Sequence, residues 1–180
     1  MSTETQKPSA ATQAAWDAAA TLAGKFMTFK LGDEEYGIEI LKVREIIGLM
    51  EITRVPRVSS CIRGVINLRG KVVPVVDLRV KFGMSATAAT EQTVIIVVQC
   101  AVGGRELTMG ILVDQVLEVL PLEAAQIEPP PAFGTAELDS GFILGVGKAE
   151  KRVIFLLDIG KVLSAAEMRA IAGASGGASA

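Results

Sequence analysis

Histidine is absent from this sequence of 180 residues. Its absence excludes every mechanism in which imidazole acts as a base, a nucleophile, a metal ligand or a phosphoryl carrier. Aromatic residues are also scarce, at 4% against 50% hydrophobic residues overall, so the core must be aliphatic. The net charge is −2 and no basic tract occurs. Because non-specific phosphate binding needs clustered lysine and arginine, this composition argues against nucleic acid as a partner.

Cysteines are few, and long hydrophobic runs are missing. Cys61 and Cys100 lie far apart beside apolar residues and match no metal spacing, which favours two buried or half-buried thiols. The densest apolar run, 94–98, has the length of a strand and falls far short of the ~20 residues of a membrane span. Residues 1–10 are polar and lack the apolar core of a signal peptide. We therefore expect a cytoplasmic protein with no membrane insertion, no metal and no cofactor.

Short β-branched segments dominate the chain between its two ends. Closely spaced segments of this kind are typical of barrels or sandwiches and not of βαβ units. The polar quartet 32–35, led by Gly32, predicts a hairpin loop between the first two strands. The predicted strands are 26–31, 36–40, 43–47, 62–67, 72–77, 93–100, 107–113, 116–120 and 152–158.

The two ends of the chain have a different composition. Residues 1–24 form an Ala-rich leader that we expect to be disordered or partly helical, with Trp16 as the residue able to dock. A capping box at 164–167 predicts a C-terminal helix over 164–172. The Gly, Ser and Ala residues of 173–180 predict a flexible tail.

The sequence also repeats itself. Residues 37–46 align with 110–119 in the pattern Gly-Ile-x-(Ile/Val)-x-x-Val-x-Glu-(Ile/Val), an offset of 73. Parts of 64–78 align with 145–159 at an offset of 81. Two alignments in the same order indicate a duplication.

The duplication predicts two similar β units packed side by side. Their approximate bounds are 25–90 and 91–163. A duplicated unit leaves a seam between its copies, and such seams are common places for a binding groove.

Candidate catalytic motifs are few. Asp77 and Asp158 lie at equivalent strand ends of the two repeats, where a carboxylate that caps the next turn explains both. The acidic run 33–35 resembles a cation site in composition only, without the register of a calcium loop. Residues 145–147 lack the third glycine of a dinucleotide site. An enzyme whose carboxylates converge in a cleft remains an alternative.

Two segments have both a structural and a functional interpretation. Arg69 lies in a tight turn between apolar strands, where an arginine is usually solvated but is also able to bind a carboxylate or amide of a partner. In 41–47, alternation puts Leu41, Val43 and Glu45 on one face and the residues between them, Ile46 included, on the other. Apolar residues on both faces mean that one face meets either the second β unit or a partner.

Two long motifs resemble the CheW family, the coupling proteins of bacterial chemotaxis. Residues 29–46 read FKLGDEEYGIEILKVREI, and residues 62–79 read IRGVINLRGKVVPVVDLR. The resemblance covers about 25–172. It implies a mainly β fold of two five-stranded, SH3-like barrels around a shared core, with no catalytic activity.

The resemblance also implies a function and its residues. CheW proteins link the cytoplasmic tips of methyl-accepting chemoreceptors to the regulatory domain of the histidine kinase CheA, so we expect recruitment to membrane-associated receptor arrays. The implied receptor-facing residues are Val43, Glu45, Ile46, Gly64, Arg69 and Met109. The implied kinase-facing residues are Thr93, Val94, Val116 and Val119, with a weaker second contact through Glu34 and Phe133.

The same fold also closes the CheA kinase and begins hybrid proteins that end in a phosphoreceiver domain. Neither module follows in this sequence, so a free-standing coupler is the expectation and the larger proteins are the alternative.

Overall fold

The mainly β class predicted from the sequence is confirmed in the computed structural model, which describes residues 10–85, 87–102, 104–130 and 142–162. The helices are α1 (Ala10–Ala20) and α2 (Leu78–Lys81). Short 3-10 turns occur at Ile40–Lys42, Ala124–Gln126 and Ile159–Lys161. The strands are β1 (Gly24–Leu31), β2 (Glu34–Glu39), β3 (Val43–Gly48), β4 (Ile62–Leu68), β5 (Lys71–Asp77), β6 (Val94–Val102), β7 (Arg105–Val113), β8 (Gln115–Leu122), β9 (Ile127–Glu128), β10 (Ile143–Ala149) and β11 (Arg152–Leu157).

The predicted strands agree with the observed ones to within a few residues, but β9 and β10 were not predicted. Strand β10 contains two glycines, Gly145 and Gly147, which lower the β propensity of the segment. The hairpin between β1 and β2 is confirmed, but its loop is shorter than the predicted 32–35, because Glu34 and Glu35 belong to β2 and only Gly32, with a φ of 61°, and Asp33 form the turn. The predicted C-terminal helix 164–172 and tail 173–180 lie outside the described residues.

The capping role predicted for the two equivalent aspartates is confirmed. Asp77 accepts a hydrogen bond from the Arg79 backbone N–H at 3.0 Å, and Asp158 accepts one from the Gly160 N–H at 3.1 Å. Each carboxylate therefore begins the turn that follows its strand.

Two sheets pack together, and neither consists of one half of the sequence. The six-stranded sheet has the order β8-β1-β2-β11-β10-β9, and the five-stranded sheet has the order β3-β6-β7-β5-β4. The β1–β2 hairpin therefore joins later strands, while the β6–β7 hairpin joins earlier ones. The sheets combine strands from both predicted units, 25–90 and 91–163.

The exchange of hairpins follows the internal duplication. Gly37 of β2 pairs in parallel with Leu156 of β11, and Gly110 of β7 pairs in parallel with Val75 of β5. These two pairs are equivalent under the offsets of 73 and 81 found in the sequence. Each copy of the repeat thus places its first hairpin against the last strand of the other copy.

The described residues form three hydrophobic clusters, of which one joins the two sheets. The largest contains residues of both sheets, among them Phe29, Ile38, Val98 and Met109. A second cluster belongs to the six-stranded sheet and a third to the five-stranded sheet. The molecule therefore has one shared core and a smaller core within each sheet.

The Ala-rich leader is helical from Ala10, and it packs on the six-stranded sheet through Ala19. Trp16, predicted as the docking residue, is instead exposed. Within the described residues, no helix is long and apolar enough to cross a membrane.

Candidate functional site

Arg69 lies at the tip of the β4–β5 hairpin, in a turn that its own backbone helps to build. Arg69 has a φ of 52° and Gly70 a φ of 85°, and the side chain of Asn67 accepts a hydrogen bond from the Gly70 N–H at 2.9 Å. The Arg69 side chain is 72% exposed, so a partner can reach its guanidinium.

Both ends of the guanidinium fork bind Glu45. Arg69 Nη1 donates to Glu45 Oε1 at 2.8 Å and Nη2 to Oε2 at 2.5 Å. Because β3 and β4 are the end strands of the five-stranded sheet, this ion pair joins its two edges and shows that the sheet is strongly curved. The remaining N–H groups of Arg69 are available to an acceptor on a partner.

The pair has an electrostatic consequence. The hydrogen bonds from Arg69, supported by its charge, hold the pKa of the Glu45 carboxyl below its usual range, although partial desolvation opposes this effect. The same hydrogen bonds raise the pKa of Arg69. Glu45 therefore stays ionised, and paired, at pH values where a free glutamate takes up a proton.

We expect the Glu45 carboxyl to titrate below the ordinary glutamate pKa of about 4.3. As the pH falls, the ion pair should survive through that ordinary value and disappear only at the lower pKa of Glu45 itself. Carboxyl NMR over an acidic pH series measures this midpoint. In Arg69→Ala the midpoint should rise into the ordinary range, whereas Arg57→Ala, which removes another exposed arginine, should leave it unchanged. An unchanged midpoint in Arg69→Ala would contradict the pairing.

The other predicted receptor-facing residues differ in exposure. Ile46 is 41% exposed, whereas Val43 is half-buried and packs on the shared core. Gly64 is buried with a φ of 145°, and an added Cβ would lie 2.1 Å from the Thr53 carbonyl oxygen. Met109 is fully buried. The structure thus corrects the prediction for Met109, because its side chain lies two strands from Val43 inside the core and offers no surface to a partner.

The predicted kinase-facing residues lie near the starts of β6 and β8. Thr93 directly precedes β6. Val94 is the first residue of this strand and pairs with Val113. Val116 is the second residue of β8 and pairs with Phe29. Val94 and Val116 are half-buried against the shared core, so each offers a partner only part of its side chain. Val119 is 44% exposed and is the open apolar residue of this set.

The predicted weaker contact is described only in part. Glu34 is exposed, and its Oε2 accepts a hydrogen bond from the Tyr36 hydroxyl at 2.8 Å. Burial raises the pKa of Tyr36 above its usual value, and the hydrogen bond to Glu34 and its negative charge add to this shift. Phe133 lies outside the described residues.

Sequence reasoning missed two features of these surfaces. Leu41, in the 3-10 turn before β3, is 88% exposed. The sequence repeat indicated that this position is exposed, because the residue that aligns with Leu41 is the charged Asp114. The second feature is Arg152, which donates from Nε to Glu35 at 2.9 Å and from Nη1 to Glu118 at 2.5 Å.

A cavity of about 550 Å³ lies beside Thr93 and contains two carboxylates, Asp77 and Asp114. Asp77 caps α2 and lies 3.4 Å from Arg63 Nε. Asp114 accepts from Arg79 and from the Gly32 N–H at 2.8 Å, and so ties the β1–β2 turn to α2. Both carboxylates are engaged in structural contacts. Cys61 and Cys100 are both buried, as the sequence predicted.

Comparison with known proteins identifies the class. The profile of the CheW-like domain matches residues 25–167. The crystal structure of the scaffolding protein TtCheW from Thermoanaerobacter tengcongensis superposes with a TM-score of 0.71 at 33% identity, covering 81% of this chain and 95% of that one. The packed sheets thus form a CheW-like domain.

Sequence relatives specify the family. The chemotaxis protein CheW of Klebsiella aerogenes is 44% identical over 148 residues, which cover 82% of this chain and 86% of that protein. Protein FrzA of Myxococcus xanthus is 33% identical over 150 residues, which cover 82% of this chain and 90% of FrzA. The chain belongs to the CheW family, as its two motifs predicted.

Proposed function

We propose that this protein is a non-catalytic chemotaxis adaptor that couples transmembrane chemoreceptors to a CheA-type histidine kinase. The observation that carries the proposal is the pair of separate surfaces, one around the Glu45–Arg69 ion pair and one on β8 around Val119. The first is called the receptor face and the second the kinase face. Relatives described as a chemotaxis protein and as a scaffolding protein support this role.

The receptor face has the chemistry of a helix-binding surface. Exposed Ile46 supplies an apolar anchor, and Arg69 supplies N–H donors that reach beyond Glu45. A helix that docks in a groove draws most of its affinity from apolar contacts, while polar groups determine its register. The helical tip of a chemoreceptor is the partner that we assign to this face. Recruitment to membrane-associated receptor arrays would follow from that contact alone.

The kinase face suits another β domain. Val119 lies on β8, the end strand of the six-stranded sheet, and is exposed. Apolar side chains on the face of a twisted sheet pack well against a second sheet. The regulatory domain of the kinase, which has the same fold in this family, is the partner that we assign here.

A matched pair of substitutions tests the proposal. Ile46→Asp places a charge on the receptor face and Val119→Asp places one on the kinase face, at side chains of nearly equal exposure, 41% and 44%. Each variant should lose about tenfold or more of its affinity for one partner, because the unpaired carboxylate is desolvated in the contact. Binding of a receptor-tip fragment and of a kinase regulatory-domain fragment is measured by calorimetry.

The control is internal, because each variant should retain affinity for the other partner. Melting temperatures should change little, since both side chains are exposed in the free protein. Incubation of the purified protein with ATP should yield no ADP. Equal loss of both partners in both variants would contradict two separate faces.

A further inference from the structure

The two faces are counterparts in the internal duplication. At the offset of 73, Val43 corresponds to Val116, Glu45 to Glu118 and Ile46 to Val119. The environments correspond as well. Val43 and Val116 are both half-buried on the shared core, whereas Ile46 and Val119 are the exposed members of each set. A glutamate in an ion pair lies between them on each face.

The arginine of the ion pair does not follow the duplication. At the offset of 81, Arg69 corresponds to Glu150, which has a similar φ of 58° but the opposite charge. The partner of Glu118 is Arg152, whose counterpart is Lys71. The second copy therefore builds its ion pair with an arginine from two residues further along the hairpin.

Arg152 connects three strands. From β11 it donates through Nε to Glu35 on β2 and through Nη1 to Glu118 on β8. Its side chain is about two-thirds buried, at 32% exposure, and Glu35 is buried further, at 17%. Removal of Arg152 would deprive Glu35 and Glu118 of the ion-pair partner that they share.

The backbone of Glu118 also depends on a side chain. The register between β1 and β8 shifts at Met27 and Phe29, so the regular ladder is interrupted at this point. The Thr28 hydroxyl donates to the Glu118 carbonyl oxygen at 2.8 Å and accepts from the Glu118 N–H at 3.2 Å. Because side chains hold Glu118 where the ladder does not, the direction of the adjacent Val119 depends on them.

We propose that Arg152 is a positioning residue for the kinase face: by holding Glu118 against Glu35, it keeps β8 in the geometry that presents Val119. This inference rests on the proposed function. Arg152 acts through Glu118 and makes no contact with the kinase itself. The planar guanidinium bridges two carboxylates through separate N–H groups, which the single ammonium of lysine reproduces poorly.

The test compares Arg152→Ala, Arg152→Lys and Glu118→Ala in the full-length protein. We expect Arg152→Ala to lose about tenfold in affinity for the kinase fragment while affinity for the receptor tip stays unchanged, and Arg152→Lys to lose less. The double variant Arg152→Ala/Glu118→Ala should lose no more than the stronger single variant, because the two residues act as one unit. Lys148→Ala is the matched control, since Lys148 lies on β10, the neighbour of β11, and its substitution breaks an ion pair with Glu128 on β9.

The outcomes separate this inference from the proposed function. If Val119→Asp abolishes kinase binding but Arg152→Ala binds normally, the positioning role is wrong and the face assignment stands. Equal loss of receptor and kinase binding in Arg152→Ala would show a general structural role and overturn the inference. If Val119→Asp binds the kinase normally, the face assignment fails and the role of Arg152 fails with it.

Discussion

Arg69→Ala is expected to abolish receptor coupling while kinase binding survives. Arg69 is the most accessible charged group of the receptor face, and arginines of this kind are often dominant contributors to affinity at interfaces. We expect the affinity for a receptor-tip fragment to fall about 30-fold or more. In Arg69→Lys this affinity should fall by less. Lysine keeps the charge, but it lacks the planar fork that binds Glu45 and a partner acceptor at the same time.

The fold should tolerate this change. Arg69 already has a Cβ at a φ of 52°, so alanine adds no new backbone strain, and the ion pair that is lost is exposed. The matched control is Arg57→Ala, since Arg57 is also exposed and has a φ of 62°. Receptor-dependent activation of the kinase should drop in Arg69→Ala and not in Arg57→Ala. Loss of kinase binding with intact receptor binding would mean that the two faces have been assigned the wrong way round.

Gly64→Val is expected to have the largest effect on stability. A Cβ on Gly64 would lie 2.1 Å from the Thr53 carbonyl oxygen and 2.8 Å from its carbonyl carbon. These are backbone atoms, and Thr53 is tied to Val65 by two hydrogen bonds of 2.8 Å, so the clash cannot be relieved by rotating a side chain. We expect a loss of about 3 kcal/mol in the free energy of unfolding.

Thermal unfolding measures this effect, which for a chain of this size corresponds to a fall of roughly 6–12 °C in Tm. Gly48→Ala is the matched control, because a Cβ there meets nothing within 4 Å. Gly70→Ala separates strain from steric clash, since Gly70 has a φ of 85° in open space. If Gly64→Val melted like the wild type but lost receptor binding, Gly64 would act through direct contact with the receptor instead of through the fold.

Gly64 was predicted to face the receptor, but because it is buried, an indirect role is the better interpretation. Residues 49–61 connect β3 to β4, and the paired backbones of Thr53 and Val65 hold this segment against β4. Gly64 permits that approach because it has no side chain. A substitution there would displace the segment and the β4–β5 hairpin together, and the hairpin presents Arg69. We therefore expect Gly64 to influence the receptor face through geometry.

Local sequence patterns determined much of the fold. Period-two alternation and β-branched composition were sufficient for nine of the eleven described strands, because a strand is defined by residues next to one another. The aspartate caps at 77 and 158 followed from the repeat and from the chemistry of a turn. The two long motifs predicted that the chain belongs to the CheW family, and the family comparisons confirm this.

Only the tertiary structure decided which side chains are accessible and which charges meet. Met109 and Ile46 are similar by hydrophobicity, yet one is fully buried and the other 41% exposed, because alternation defines two faces without showing which face another sheet covers. Arg69 and Glu45 lie 24 residues apart, and Arg152 and Glu118 lie 34 apart. These pairs form because the sheets curve and exchange hairpins, and such long-range geometry leaves no periodic pattern along the chain.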